Sequence, residues 1–392
     1  MKKIVRRQAY YIASVAFVLL TITYFVAIIN HPYVGLELKD HNGQWVVADS
    51  DPYGEGYQLG IHDGDIILRI DNHKTGDNHT VQKWDEAEGA STIEFRSLLE
   101  ATDKIVKIPK RPVFLMVFSE MPMALLGLVF LFFGWFTWVK KPYMIQARAL
   151  FWFNWFIGLA IVLTPASSRL LMFARELEFV IMSLVPLILV DFFSLFPSEN
   201  KNRISRFGQR ILSLTSVLII ALTFLQSASI LHINRLLEKL ILINLPVGIL
   251  VVLWNILLSV KTSEDTREKN QANIVLLGIA LAFSPFILLT AVPDIFNFQP
   301  IVNTEISYLF VSVLPLTLSY VLVKKYLLDS YQILKYALIF ISEVVITSIV
   351  ITFILFFVNA FRNLTIEKFL AVLPLSFVLI LYTIILRIAV KK

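Results

Sequence analysis

Residues 60–71 read Gly60-Ile61-His62-Asp63-Gly64-Asp65-Ile66-Ile67-Leu68-Arg69-Ile70-Asp71, and this stretch decides how the chain is read. A glycine at a turn is followed by a β-branched run that ends in an acidic turn, the pattern of a strand entered through a tight bend. The turn before Asp65 calls for a positive φ, which Gly64 adopts without strain. Upstream, residues 33–39 alternate with period two and read as a strand, and Gln44 to Ala48 read as a second. Between them His41-Asn42-Gly43 is a hairpin turn. The loop at 52–61 has space for one helical turn. Downstream, Thr80 is expected to cap a short amphipathic helix running through Glu88, with Val81 and Trp84 on one face. Residues 92–98 and 104–108 close the unit as strands. Residues 32–111 therefore form a small β-rich domain.

On both sides of this polar island the sequence turns apolar. The chain has 392 residues, of which 57% are hydrophobic and 16% charged. Soluble domains carry about 25% charged residues, so the fold class is a polytopic α-helical membrane protein with an inserted β-rich domain. Ten spans are expected, near 9–29, 113–139, 147–164, 177–196, 211–231, 240–260, 272–293, 304–323, 336–358 and 368–387, with eight as the alternative. The organisation is then a cytoplasmic N-terminus and first helix (1–31), the island (32–111), and a multi-helix bundle (112–392). The first apolar run is long and lacks a small-residue cleavage site, so it reads as an anchor that is retained.

Basic residues orient the spans. With the N-terminus inside, twenty Lys and Arg fall on inner segments, among them Lys2, Lys3, Lys140, Lys141, Arg203, Arg206, Lys261 and Lys324. The outer loops beyond the island hold six: Arg169, Arg175, Arg235, Lys239, Arg362 and Lys368. Both termini are expected in the cytoplasm and the island outside. The net charge of +6 belongs to these membrane-flanking groups, so lipid headgroups and not nucleic acid are its partners. Aromatic residues crowd 130–138 and 151–156, as an interfacial belt or as the wall of an apolar cleft. No GxxxG motif marks a helix contact.

Catalytic chemistry finds little footing. The chain has no cysteine, which removes disulfides, thiolate nucleophiles and cysteine metal sites. HExxH and GxSxG are absent. The histidines His31, His41, His62, His73 and His79 lack ligand spacing, so neither a metal nor another cofactor is expected. Intramembrane polar residues are costly. Of these, Glu120, in the outer third of the second span near the island, is the candidate for ligand contact.

The 60–71 stretch resembles the signature of bacterial PDZ domains, with Gly60, Gly64, Asp65, Ile66 and Ile67 at its signature positions. Pro52 matches the proline of the usual approach, while Gly54, Glu55 and Gly56 depart from it. The resemblance implies that Val34, Gly35, Leu36, Glu37 and Leu38 form the carboxylate-binding loop and the strand that pairs with an extended peptide. A PDZ domain between spans one and two of such a bundle resembles the sensor half of the ComP-type competence quorum-sensing histidine kinases of bacilli. Residues 314–320 and 324–329 are similar to the exit segment of multi-helix sensor kinases. The resemblance implies a non-enzymatic receptor region, in the bacterial cell membrane, that binds a hydrophobic or isoprenylated peptide pheromone. It further implies a homodimer that signals to a kinase region lying outside this sequence, which ends at Lys392. The alternative is a multipass transporter or transport accessory protein with a docking module.

Overall fold

The computed structural model describes residues 2–100, 102–110, 113–196, 203–296 and 310–323, and isolated helical positions beyond 342. Helix α1 (Lys2–Ile29) leads into the β-rich module. There β1 (Leu36–His41) and β2 (Gln44–Ser50) form an antiparallel hairpin. Asn42 and Gly43 turn it with φ of 55° and 84°, the left-handed pair that matches strand twist. A single turn, α2 (Glu55–Gln58), precedes β3 (Ile66–Ile70) and the short β4 (His73–Lys74). Helix α3 (His79–Trp84), β5 (Thr92–Arg96) and β6 (Asp103–Lys107) complete the module. The sheet order is β1-β2-β3-β5-β6, with β4 on β3. Val34, Leu36, Leu38, Val47, Ile61, Ile67, Ile70, Val81, Ile93 and Phe95 fill its core.

Two expectations change within the module. Asn78, not Thr80, caps α3: its Oδ1 accepts from Thr80 N at 3.0 Å and Val81 N at 3.4 Å. The helix also stops at Trp84, because Asp85 adopts a left-handed conformation (φ 59°). Beyond that bend, Glu86 lies in an isolated bridge and Glu88 in a turn.

The bundle continues with α4 (Val113–Lys140), α5 (Ile145–Ser167), α6 (Ala174–Leu195), α7 (Arg203–Ser227) and α8 (Asn234–Thr262). Next comes α9 (Thr266–Phe286), which runs through a π-helical turn (Ile287–Ala291) into α10 (Val292–Ile295). The last described element is α11 (Val313–Val323). Seven of the described helices are long and apolar enough to cross a membrane, and they coincide with the first seven expected spans. The eighth expected span is represented by the shorter α11. The ninth and tenth lie for the most part outside the described residues.

Helix α1 packs on α4 and α5, and α6 lies centrally against α5, α7 and α8. Single glycines on different helices allow the closest approaches. A Cβ on Gly127 would stand 2.8 Å from the Gly158 carbonyl, and one on Gly158 would stand 3.1 Å from Phe17 Cζ. The backbone contact that a GxxxG motif would offer is thus assembled from residues far apart in sequence. The aromatic run serves the same packing. Phe130, Phe133, Trp138, Phe151 and Phe153 are buried, and Tyr10 of α1 stacks on Trp138 at 4.6 Å.

Candidate functional site

The expected peptide-pairing residues come together at one edge of the sheet, and that edge is already occupied. Leu38 N donates to Asp85 O at 2.6 Å, and Ala87 N donates to Leu36 O at 3.0 Å. Glu37 and Glu86 therefore face each other in an isolated antiparallel bridge. One step further on, the Glu88 carboxylate accepts from Val34 N at 3.1 Å and Gly35 N at 2.6 Å. Gly35 has φ +70°, which turns consecutive N–H groups toward one point and makes a small anion nest. Glu88 is 2% exposed. Burial, reinforced by nearby Glu86, pushes its carboxyl up to about 8 despite the two donors.

The unexpected glycines of the 53–59 loop have a structural reason here. A Cβ on Gly54 would sit 2.5 Å from Val34 O. Only a bare backbone lets α2 close on the back of the edge, where Glu55 N donates to Tyr33 O and Gly56 N to Val34 O.

The other signature residues are structural. Gly64 has φ +89°. Asp65 is buried and accepts from His62 N at 2.9 Å and Leu98 N at 2.8 Å. Ile67 is core, and Ile66 pairs with Val46 and Arg96. Gly60 is a left-handed turn with open space around it.

The occupied edge rests on the bundle. Arg175, in the first turn of α6, forms a two-pronged ion pair with Glu86. Arg235 of α8 pairs with Glu37. The two facing acids of the bridge are thus compensated by arginines from two different helices. Lys83 Nζ lies 2.7 Å from Glu176 Oε1 and 3.3 Å from Ser227 Oγ. Gln226 Nε2 donates to Lys83 O, and Asn234 Nδ2 donates to Trp84 O. Trp84 itself leaves the module core and joins Phe179, Ile219, Leu237 and Ile241 of the bundle.

Glu120 lies apart from this edge. It pairs with Arg169 Nη2 at 2.6 Å, both side chains nearly shut off from solvent. Arg169 also donates to His31 O and Pro165 O and stands 5.7 Å from the Tyr33 ring centre. The arrangement makes Glu120 a partner of the arginine that ties α5 to the linker between α1 and the module.

Sequence reasoning does not connect Trp84, Glu86, Glu88, Arg169 or Arg175 to this contact. The available signal was the acidic run 85–88 beside a scarcity of cations on the module's side of the bundle. A separate apolar slot lies in the half of the bundle nearest the module. Ile157, Ala160, Met182, Val185, Leu245 and Phe283 are among its walls. Its cavity volume is about 40 Å³. Among the described residues no group of three or more His, Cys, Asp or Glu is placed to hold a metal ion.

No protein-family model matches the chain, and neither a curated protein nor a solved structure does.

Proposed function

We propose that the chain is the receptor region of a two-component sensor, with a PDZ-type module outside the cell and both termini in the cytoplasm. Its ligand is an extended hydrophobic peptide, most simply a lipidated pheromone. Signal output passes, in a homodimer, to a kinase region outside this sequence. The observation that carries the reading is the Arg175–Glu86 pair. It ties the strand edge suited to peptide pairing to the first turn of a central membrane helix. A chain bound at that edge would change the surroundings of Glu86, and through it those of α6.

Two further features support the reading. The far ends of the spans carry the basic residues Lys140, Lys141, Arg206, Arg210 and Lys261, the charge bias of a cytoplasmic face. The slot beside α5 and α6 is walled by apolar side chains and narrow, which suits a hydrocarbon chain better than a ring system. Each CH₂ moved from water into such surroundings contributes about 0.8 kcal/mol.

The test uses the full chain in nanodiscs with a farnesylated peptide and its unlipidated twin, and subtracts partition into empty discs. The lipidated probe is expected to bind the protein, and Ala160→Trp, which fills the slot, to weaken it by about tenfold. Equal partition into loaded and empty discs would contradict the receptor reading. Passage of the peptide into sealed vesicles would favour a transporter.

A further inference from the structure

We infer that Asp85–Glu88 is a built-in ligand of the module, a displaceable latch that holds the peptide edge shut until an incoming chain replaces it. The inference rests on the reading of β1 as a peptide-pairing edge and adds how that edge is controlled.

Four contacts define the latch. Its backbone runs antiparallel to β1 through Leu38 N to Asp85 O and Ala87 N to Leu36 O. Those are the bonds that strand addition by a separate peptide would make. Its last side chain, Glu88, sets a carboxylate on Val34 N and Gly35 N, where the terminal carboxylate of an added chain would sit. The latch is the segment that continues α3 in sequence but leaves the helix at the left-handed Asp85. It is joined to α3 at one end and to the turn at Gly89 (φ +76°) at the other, so it can leave β1 without unthreading the sheet. The sheet itself is formed by β1-β2-β3-β5-β6, with β4 on β3, and does not include it.

What holds the latch shut is divided between module and bundle. Glu86 is pinned by Arg175, and Glu37 opposite it by Arg235. Two carboxylates facing each other across a bridge repel, and the arginines remove that repulsion only while α6 and α8 keep their present positions. Latch and bundle are therefore linked in both directions: a bundle that shifts either arginine loosens the latch, and a peptide that displaces the latch frees Arg175. A peptide competing with a tethered segment sees its affinity reduced by the fraction of molecules that are open.

The absence of cysteine allows a direct test. Glu37 and Glu86 form a non-hydrogen-bonded antiparallel pair, the geometry in which opposed Cα atoms come closest, about 4.5 Å, within the range of a disulfide. The probe is a labelled peptide with the latch's own sequence, Lys-Trp-Asp-Glu-Ala-Glu, added to the full chain in nanodiscs. Ala87→Pro removes the N–H that bonds Leu36 O, and it is expected to bind the probe about tenfold tighter than the unaltered chain. E37C/E86C is expected to exclude the probe when oxidised and to bind it when reduced. If Ala87→Pro does not fold, the oxidised and reduced forms of the cysteine pair carry the comparison. Equal binding in every form, including none in any, overturns the latch. The experiment needs no pheromone, so its failure is distinct from a failure of the receptor reading, which would leave the redox-dependent binding of this probe intact.

Discussion

Arg175 of the sixth helix and Glu86 of the β-rich module form a two-pronged ion pair with side chains 9% and 15% exposed. The pair joins a segment on the sheet edge to the start of a membrane helix. Removing one partner of such a pair strands the other charge, at a cost of about 3–5 kcal/mol. Arg175→Gln and Glu86→Gln should each lower the Tm of the full chain in detergent. The double substitution should lower it by less than the sum of the two. Additive losses would mean that the pair is not coupled.

Trp84 tests the same contact through packing. It is 3% exposed among Phe179, Ile219, Leu237 and Ile241, and the guanidinium of Arg175 lies 5.4 Å from its ring centre. Trp84→Ala should cost roughly 3 kcal/mol and make the module easier to release from the bundle. Limited tryptic digestion at the exposed Lys107 and Lys110 reads this as faster cleavage. Trp84→Phe should recover most of the loss.

Glu88 makes the closed edge sensitive to pH. Its carboxyl is raised by burial from an ordinary 4.5 to about 8 in the folded chain. A raised carboxyl contributes stability that is fully present below about 4.5 and is lost as pH rises through about 8, because the ionised form is the one the buried site disfavours. The Tm of the unaltered chain should therefore fall between about pH 4.5 and 8 relative to that of Glu88→Gln. Parallel curves for the two proteins over that range would show that Glu88 does not titrate there.

The hairpin at Asn42-Gly43, the bend at Gly64 and the first seven spans were legible because each is set by local chemistry: left-handed turn residues, a period-two strand, and an unbroken apolar run. The latch was not. Residues 79–88 carry a helical pattern, and only the β1 edge, the Val34 and Gly35 N–H groups and Arg175 draw 85–88 out of it, all of them distant in sequence. Arg169 and Arg175 were counted as markers of orientation, since nothing local distinguishes a cation facing solvent from one buried against a partner domain. The Glu120 ion pair is out of reach of local reading for a related reason, its arginine lying 49 residues away.

Orientation can be checked in this cysteine-free chain. His73, on the module, and Glu264, between α8 and α9, are both exposed. From the basic residues at the far ends of the spans, His73→Cys should react with an impermeant thiol reagent in intact cells and Glu264→Cys only after permeabilisation. The reverse pattern would invert the membrane topology.

The central claim is that occupancy of the sheet edge is linked to the membrane bundle through Glu86 and Arg175. Hydrogen–deuterium exchange of the full chain in nanodiscs, compared with Ala87→Pro, tests it most directly. With the latch released, exchange should quicken in residues 85–88 and β1 and also in the first turns of α6, residues 174–182, while β5 and β6 remain as before. Faster exchange confined to residues 85–88, with α6 unchanged, would contradict the claim and leave the module resting on the bundle without acting on it.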